Sequence, residues 1–220
     1  MSASTSHTEA DTGARRAKPL TRRKRALLEA AVKCFRASGY QATTINDIGA
    51  AAGVTGPALY AHFKSKEAVL EAAVWEMARA INLETTAAME RGNSATERLS
   101  LMVQALISVA LEHRDFAAVY LFEARYLPSE VYGAMLRSEE RFRDYWFDAL
   151  RDARPEISEV RARTIVRSAV HMALHSCLQD PELDPTRLHA LLARMTLAAL
   201  YEGNVQEESG ALSPNSLVTV

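Results

Sequence analysis

Residues 43–67 read TTINDIGAAAGVTGPALYAHFKSKE, two short apolar-spaced stretches on either side of a glycine-bearing turn. Thr44 stands before Ile45, Ile48 and Ala52, with Asp47 one turn in, so a helix over 44–52 capped by Thr44 is expected. Gly53 ends it. Pro57 suits the start of a second helix over 56–63, whose inner face is Leu59 and Phe63. Two short helices around the turn Gly53-Val54-Thr55 make a helix-turn-helix. Packing Ile45, Ile48, Ala52, Val54, Leu59 and Phe63 inward leaves Thr55, Gly56, Pro57, Tyr60, Ala61 and His62 facing away. A face of that shape fits the major groove of duplex DNA.

The flanks support the same reading. Upstream, Leu27, Leu28, Ala31, Val32 and Phe35 form one helical stripe that starts after Thr21 and stops at Gly39. Its first turn is Arg22-Arg23-Lys24-Arg25, cations placed where the helix dipole disfavours them and a nearby phosphate backbone would favour them. Downstream, Ser65 caps a helix with Glu67 at its positive end and a stripe of Val69, Leu70, Val74, Met77 and Ile81. Further helices are expected over 95–113, 115–126, 129–153, 158–179 and 185–201, with Pro155 as a stop and Asp184-Pro185 as a start. No strand pattern interrupts them, so the fold class is all-α. The expected organisation is a disordered basic arm over 1–20, a DNA-binding domain over 21–66, a helical body over 67–203 and a flexible tail over 204–220.

Charge divides the chain in the same place. Residues 1–66 hold 11 Lys/Arg against 4 Asp/Glu, a net of +7, and residues 67–220 hold 15 against 23, a net of −8. All five lysines (Lys18, Lys24, Lys33, Lys64 and Lys66) lie in the first part, which suggests a polyanion partner there and a different task for the remainder. Arg15, Arg16 and Lys18 could reach a minor groove from the arm. No apolar run approaches the ~20 residues that span a bilayer. The first twenty residues hold no apolar signal core either, so a cytoplasmic protein without membrane contact is expected. Cys34 and Cys177 fit no ligand spacing and read as small buried hydrophobes.

The stretch from Gly39-Tyr40 through Thr43-Thr44-Ile45, Ile48 and Ala52-Gly53-Val54-Thr55 to Leu59-Tyr60-Ala61-His62-Phe63-Lys64-Ser65-Lys66-Glu67 resembles the DNA-binding domain of TetR/AcrR transcription regulators. The resemblance covers 22–70. It implies a three-helix DNA-binding domain followed by a helical body that binds a ligand and dimerises. By that resemblance Thr55, Tyr60 and His62 contact phosphates and base edges, Lys66 clamps a phosphate with help from Lys64, and Asn46 stands where some members read a base. Thr44 is expected to offer its hydroxyl and N–H to a phosphate. One position departs from the pattern. Gly56 sits where relatives often carry a longer polar side chain, so specificity falls to Asn46, Thr55, thymine-methyl contacts by Pro57 or Ala58, and DNA shape.

For the body the resemblance implies that the last two long helices pair with their mates in a homodimer. Ala169, Ala173, Ala193 and Ala198, with Leu174, Leu191 and Leu197, suit close packing there. The ligand pocket is expected between Trp75 and Trp146, lined from Met102, Phe116, Tyr120, Arg125, Tyr126, Phe142 and Trp146, with His171 and His175 as pocket or interface histidines. The i, i+4 spacing of His171 and His175 can bind zinc, but no third ligand accompanies it and no metal is expected. The expected partners are an operator duplex, a second copy of the chain, and an apolar or amphiphilic effector such as an acyl-CoA, a lipid or a steroid-like molecule. Repression is the family default. No phosphate-binding glycine loop, nucleophile elbow or Cys/His pair points to an enzyme or a cofactor. An effector-independent DNA binder and a small helical enzyme remain as other readings.

Overall fold

Hydroxyl side chains start six of the helices. Thr21, Thr44, Thr55, Ser65, Ser94 and Ser158 each accept a backbone N–H three residues on, which satisfies a donor the first helical turn would otherwise leave unpaired. In this computed structural model, which describes residues 20–179 and 183–201, every regular element among the described residues is helical.

The elements are α1 (Arg22–Ser38), α2 (Ile45–Ala51), α3 (Gly56–Tyr60), α4 (Lys66–Arg91), α5 (Ala95–Glu112), α6 (Arg114–Ala118), α7 (Ser129–Ala153), α8 (Glu159–Ser176) and α9 (Pro185–Tyr201). Gly39 ends α1 at φ 78°, a left-handed conformation that glycine adopts without a Cβ penalty. The expected helix over 115–126 is not one regular helix. After α6 the chain widens into a π-turn over Val119–Glu123 and tightens into a 3-10 turn over Ala124–Tyr126. The reason is its surroundings. Phe116 through Tyr120 are all buried, a run no single face of an α-helix can hide, because α1, α4 and α5 close around the segment.

The core is continuous. Leu28, Val32, Phe35, Ile48 and Leu59 from the first three helices join Leu70, Val74 and Met77 of α4, and the same cluster runs on through Leu106, Trp146 and Val170 to Leu200. α4 is the shared beam, packing on α1 at one end and along α5 for most of its length.

The small residues of α8 and α9 belong to this core rather than to a second copy. Ala169, Ala173, Leu174 and Ala193 are buried within the chain, where α8, α9 and α5 pack together, so their expected interface role is corrected. The outward stripe is instead Val160, Thr164, Ser168 and His171 on α8 and Leu191, Met195 and Ala198 on α9, with Leu197 half-buried beside it. Cys177 is buried, which pushes its thiol up to about 11. Cys34 is half-buried between α1 and α2, with Sγ 3.9 Å from the Asp47 carbonyl oxygen. The basic arm and the tail expected at the two ends lie outside the described residues, apart from Leu20. Among the described residues no helix is long and apolar enough to cross a membrane.

Candidate nucleic-acid interface and internal cavity

The close approach of α2 and α3 is set by glycines. A Cβ on Gly49 would lie 2.9 Å from the Val54 carbonyl oxygen and 3.2 Å from the Gly56 nitrogen, so α2 rests directly on the turn. Gly53 takes φ 65° to make that turn. α3 is shorter than expected, ending at Tyr60, after which His62 N–H reaches back to the Leu59 carbonyl in a tight i−3 bond. Ile48, Leu59 and Phe63 face the core, leaving Asn46, Thr55, Pro57, Tyr60 and Lys64 exposed and His62 half-buried. This reproduces the expected outward face except at Gly56, which is buried beneath the side chain of Asn46.

Two expected phosphate contacts are already occupied within the chain. Thr44 N–H donates to Asp47 Oδ2 at 2.8 Å, its hydroxyl donates to the same oxygen at 2.7 Å, and that hydroxyl accepts the Asp47 N–H. The reciprocal box holds the Asp47 carboxyl below the usual carboxylate range, chiefly through the Thr44 hydroxyl and then its N–H. Lys66 turns inward. Its Nζ donates to the carbonyls of Tyr40, Gln41 and Thr43 at 2.9, 3.2 and 2.9 Å and lies 4.4 Å from the centroid of the Tyr40 ring. Three carbonyls engage all three ammonium hydrogens, so Lys66 staples the α1–α2 connection where a free phosphate clamp was expected. In the basic run, Lys24 covers the Phe63 ring at 4.8 Å and Arg25 pairs with Glu76 at 2.7 Å, while Arg22 and Arg23 stay exposed. Thr55 caps α3 by accepting the Ala58 N–H, which leaves its hydroxyl hydrogen free to donate outward.

The residues expected to line one pocket divide among four places. Tyr120, Phe142 and His171 meet around a cavity of ≈ 50 Å³ between α4, the π-turn, α7 and α8. Phe116 lines a separate, more open groove of ≈ 430 Å³ on the outside of α4 and α5, rimmed by Arg25, Glu76, Arg79 and Glu112. Met102 and Trp146 are core residues with 1% and 0% exposure. Arg125 stacks on Tyr126, which itself stacks on Tyr40 with centroids 5.4 Å apart, at the junction with α1. His175 stacks on His171 at 5.6 Å and meets Phe122 edge-on, and among the described residues no trio of metal-binding side chains forms around them.

Sequence reasoning missed the polar wall of the small cavity. Tyr120 Oη donates to Glu139 Oε1 at 2.8 Å, Arg143 reaches Glu139 Oε2 at 3.4 Å, and Ser138 and Asn82 complete the lining. Burial, then the Glu139 carboxylate, raises the Tyr120 phenol well above its ordinary value, so it stays a neutral donor. Glu139 and Arg143 stand at i, i+4 with the apolar Phe142 between them, a pattern visible in sequence among the many charges of α7.

The segment that lines the cavity is also bolted to the first helices. Asp115 pairs with Arg36 at 2.6 Å, Glu123 accepts the Tyr40 N–H at 3.3 Å, and Tyr126 stacks on Tyr40. A second tie runs from Arg25 on α1 to Glu76 on α4, which Arg79 also holds at 2.8 Å.

Comparison with known proteins agrees with this geometry. Residues 27–73 match the model of bacterial regulatory proteins of the tetR family, and 92–178 match that of the tetracyclin repressor-like C-terminal domain. The chain is 31% identical over 129 residues to the HTH-type transcriptional repressor KstR2 of Mycolicibacterium smegmatis, a match covering 57% of this chain and 62% of that one. It thus spans between about a third and three-fifths of the curated relatives it matches, 37% in one case and 62% in another. Among solved structures, the ketosteroid transcriptional regulator KstR2 of Mycobacterium tuberculosis superposes with a TM-score of 0.70 at 22% identity, covering 83% of this chain and 96% of that one. AibR, solved in complex with isovaleryl coenzyme A and operator DNA, superposes with a TM-score of 0.68 at 20% identity, covering 79% and 97%. At these identities the two structures share the fold.

Proposed function

The chain belongs to the TetR family of bacterial regulatory proteins, and from that premise we propose that it is a dimeric transcriptional repressor released from its operator by a small apolar or amphiphilic molecule. In this reading residues 21–66 read DNA and residues 67–203 bind the effector and dimerise. The chain performs no catalysis and works where the chromosome is, in the cytosol.

The observation that carries the proposal is the physical continuity between the outward face and the cavity. Thr55, Tyr60 and Lys64 offer hydroxyls and a cation on one side of the helix-turn-helix. On the other side, Tyr40 is held by Glu123 and Tyr126, which end the segment whose Tyr120 and Leu121 line the cavity. A ligand that widens the cavity on the side of that segment or of α4 moves an element attached to the helices that carry the DNA-facing residues. At ≈ 50 Å³ the cavity is far below the roughly 300 Å³ at which drug-sized pockets begin, so occupancy and widening go together. Groove spacing in a duplex is fixed, and a dimer held at another separation binds it less well.

The smaller cavity is preferred over the larger groove as the effector site because its lining is mainly apolar, with one hydrogen-bonded polar wall. The groove has a more polar lining, and three of its charged side chains, Arg25, Glu76 and Arg79, are already engaged with each other. Relatives in fold supply precedent of two kinds. One is described as a ketosteroid regulator, and another was solved with an acyl-coenzyme A and operator DNA together. Dimerisation in this reading uses the outward stripe of Val160, Leu191 and Met195.

Native mass spectrometry of freshly purified protein, followed by selection of bound duplexes from a random pool, tests the proposal. The expected results are a dimer, selected duplexes with two-fold symmetry, and loss of that binding when a copurified or screened ligand is added. A monomer, or a pool without enrichment, overturns it.

A further inference from the structure

Among the described residues five polar side chains are buried, Thr43, Thr85, Ser138, Arg154 and Thr196, and four of them are hydrogen-bonded. Thr85 and Thr196 return their hydroxyls to the carbonyl four residues back, the usual outlet for a hydroxyl inside a helix. Ser138 does not. It is 6% exposed, it lines the small cavity, and its hydroxyl makes no hydrogen bond among the described residues. A buried hydroxyl without a partner costs free energy, which a bound molecule that bonds to it recovers.

A second polar group of the lining is half used. Asn82 Nδ2 donates to the Ala78 carbonyl at 2.8 Å, and its Oδ1 accepts from no donor among the described residues. Ser138 can donate or accept and Asn82 Oδ1 can accept, so an alcohol can use both and a ketone the first. The charged part of the lining is neutral in sum. Glu139 and Arg143 pair at 3.4 Å, and Tyr120 gives its hydrogen to the same carboxylate at 2.8 Å. His171, the remaining titratable group of the lining, stacks on His175. The rest is apolar, Ile81, Leu121, Phe142 and Leu174 among it. A ligand carboxylate or phosphate would meet Glu139 and an ammonium would meet Arg143, each with an ion pair to break and little water to replace it.

We propose that this cavity selects an uncharged, mainly apolar molecule bearing an alcohol or ketone oxygen, which bonds to Ser138 and, for an alcohol, to Asn82. Ser138 is the anchoring residue. The Glu139–Arg143 pair turns away charged amphiphiles, fatty acids and acyl-coenzyme A thioesters included. The inference rests on the effector role proposed for this cavity and adds the class of molecule that fills it.

The probes are alcohols, carboxylates and primary amines built on the same three skeletons: a decyl chain, a phenylhexyl chain and a decalin ring. Binding is measured by titration calorimetry at neutral pH without DNA. Each alcohol that binds should do so at least about tenfold more tightly than its carboxylate and its amine, because a charge would be buried against a like charge. Ser138→Ala should weaken the alcohol by about tenfold, the upper range of one net hydrogen bond, and leave the affinity for 1-phenylhexane unchanged. Glu139→Gln leaves Arg143 unpaired, and the carboxylate should gain about tenfold. No binding by any alcohol, tighter binding of a carboxylate or an amine, or an alcohol Kd unmoved by Ser138→Ala overturns the inference. A carboxylate affinity unmoved by Glu139→Gln overturns the charge exclusion. Operator affinity, read on selected duplexes with and without each probe, separates this inference from the effector role. A preferred alcohol that leaves operator binding unchanged removes the effector role and keeps the ligand class, and a preferred carboxylate that releases the operator does the reverse.

Discussion

Helices α1 to α3 and the body from α4 to α9 are ordered by different means. α2 has 7 residues and α3 has 5, too short to persist on their own propensity, so nearly every position has a fixed task. Thr44 and Asp47 cap each other, Gly49 admits the turn, Gly53 makes it, and Gly56 lies buried beside Asn46. Apart from the 5-residue α6, the body is built from helices of 17 to 26 residues whose buried stripes can be filled by many apolar combinations. A motif can therefore be read in the first region residue by residue. In the second, only the lengths and inner faces of the helices are dictated.

The largest expected effect lies on the body. Leu191→Glu on the outward stripe of α9 should give monomers in sedimentation and reduce operator affinity by more than about a hundredfold, because an unpaired carboxylate in an interface costs several kcal/mol. A dimer of wild-type affinity would move the interface elsewhere. Next come core truncations on each side of the comparison. Phe35→Ala and Trp146→Ala should each cost about 3–5 kcal/mol. Because one core joins both regions, each variant should still unfold in a single transition. Two transitions in calorimetry would show that the head and the body are separate units.

Lys66→Met sharpens the contrast within the head. It leaves three carbonyls short of a donor, and a loss of about 1–3 kcal/mol in stability is expected. Operator affinity should fall through disorder of the α1–α2 connection while the slope of log affinity against log salt stays at its wild-type value. Lys64→Ala, with an exposed ammonium, should instead make that slope shallower by about one phosphate contact. A shallower slope for Lys66→Met would restore it to the phosphate-clamping role.

The smallest effect is the pH dependence of the Arg25–Glu76–Arg79 tie. Burial alone would raise the Glu76 carboxyl, but Arg79 and Arg25 outweigh it and hold the group below the usual carboxylate range. A pKa lower in the folded than in the unfolded state stabilises above the unfolded value of about 4.3 and is lost as pH falls through the folded value. Glu76→Gln should therefore be less stable at neutral pH, by on the order of 1 kcal/mol, and the gap should close as pH falls through the folded value. A gap that persists in acid would assign the loss to packing.

Legibility follows the same division. The bounds of α7 and α9 were readable because Pro155 and Asp184-Pro185 act locally, and the caps Thr44 and Ser65 were readable for the same reason. The inward turn of Lys66 was not, because its acceptors lie 23 to 26 residues away. The π-turn depends on three helices closing around Phe116 to Tyr120, which periodicity does not encode. Ala169, Ala173 and Ala193 suit a close helix contact of any kind, and within the chain they serve α8, α9 and α5. Of the cavity, the aromatic Tyr120 and Phe142 could be anticipated, and the Glu139–Arg143 wall could not be told from surface charge.

The central claim is that effector and operator compete through one linked structure, and linkage makes this measurable in either direction. With a ligand found by thermal shift, its Kd is titrated against the protein alone and against the protein saturated with selected operator. The account predicts ligand binding weaker by about 5- to 150-fold in the presence of operator, matched by the same loss of operator affinity in the presence of ligand. Equal ligand affinity in the two titrations would contradict it, leaving a DNA-binding head joined to a body whose cavity does not control it.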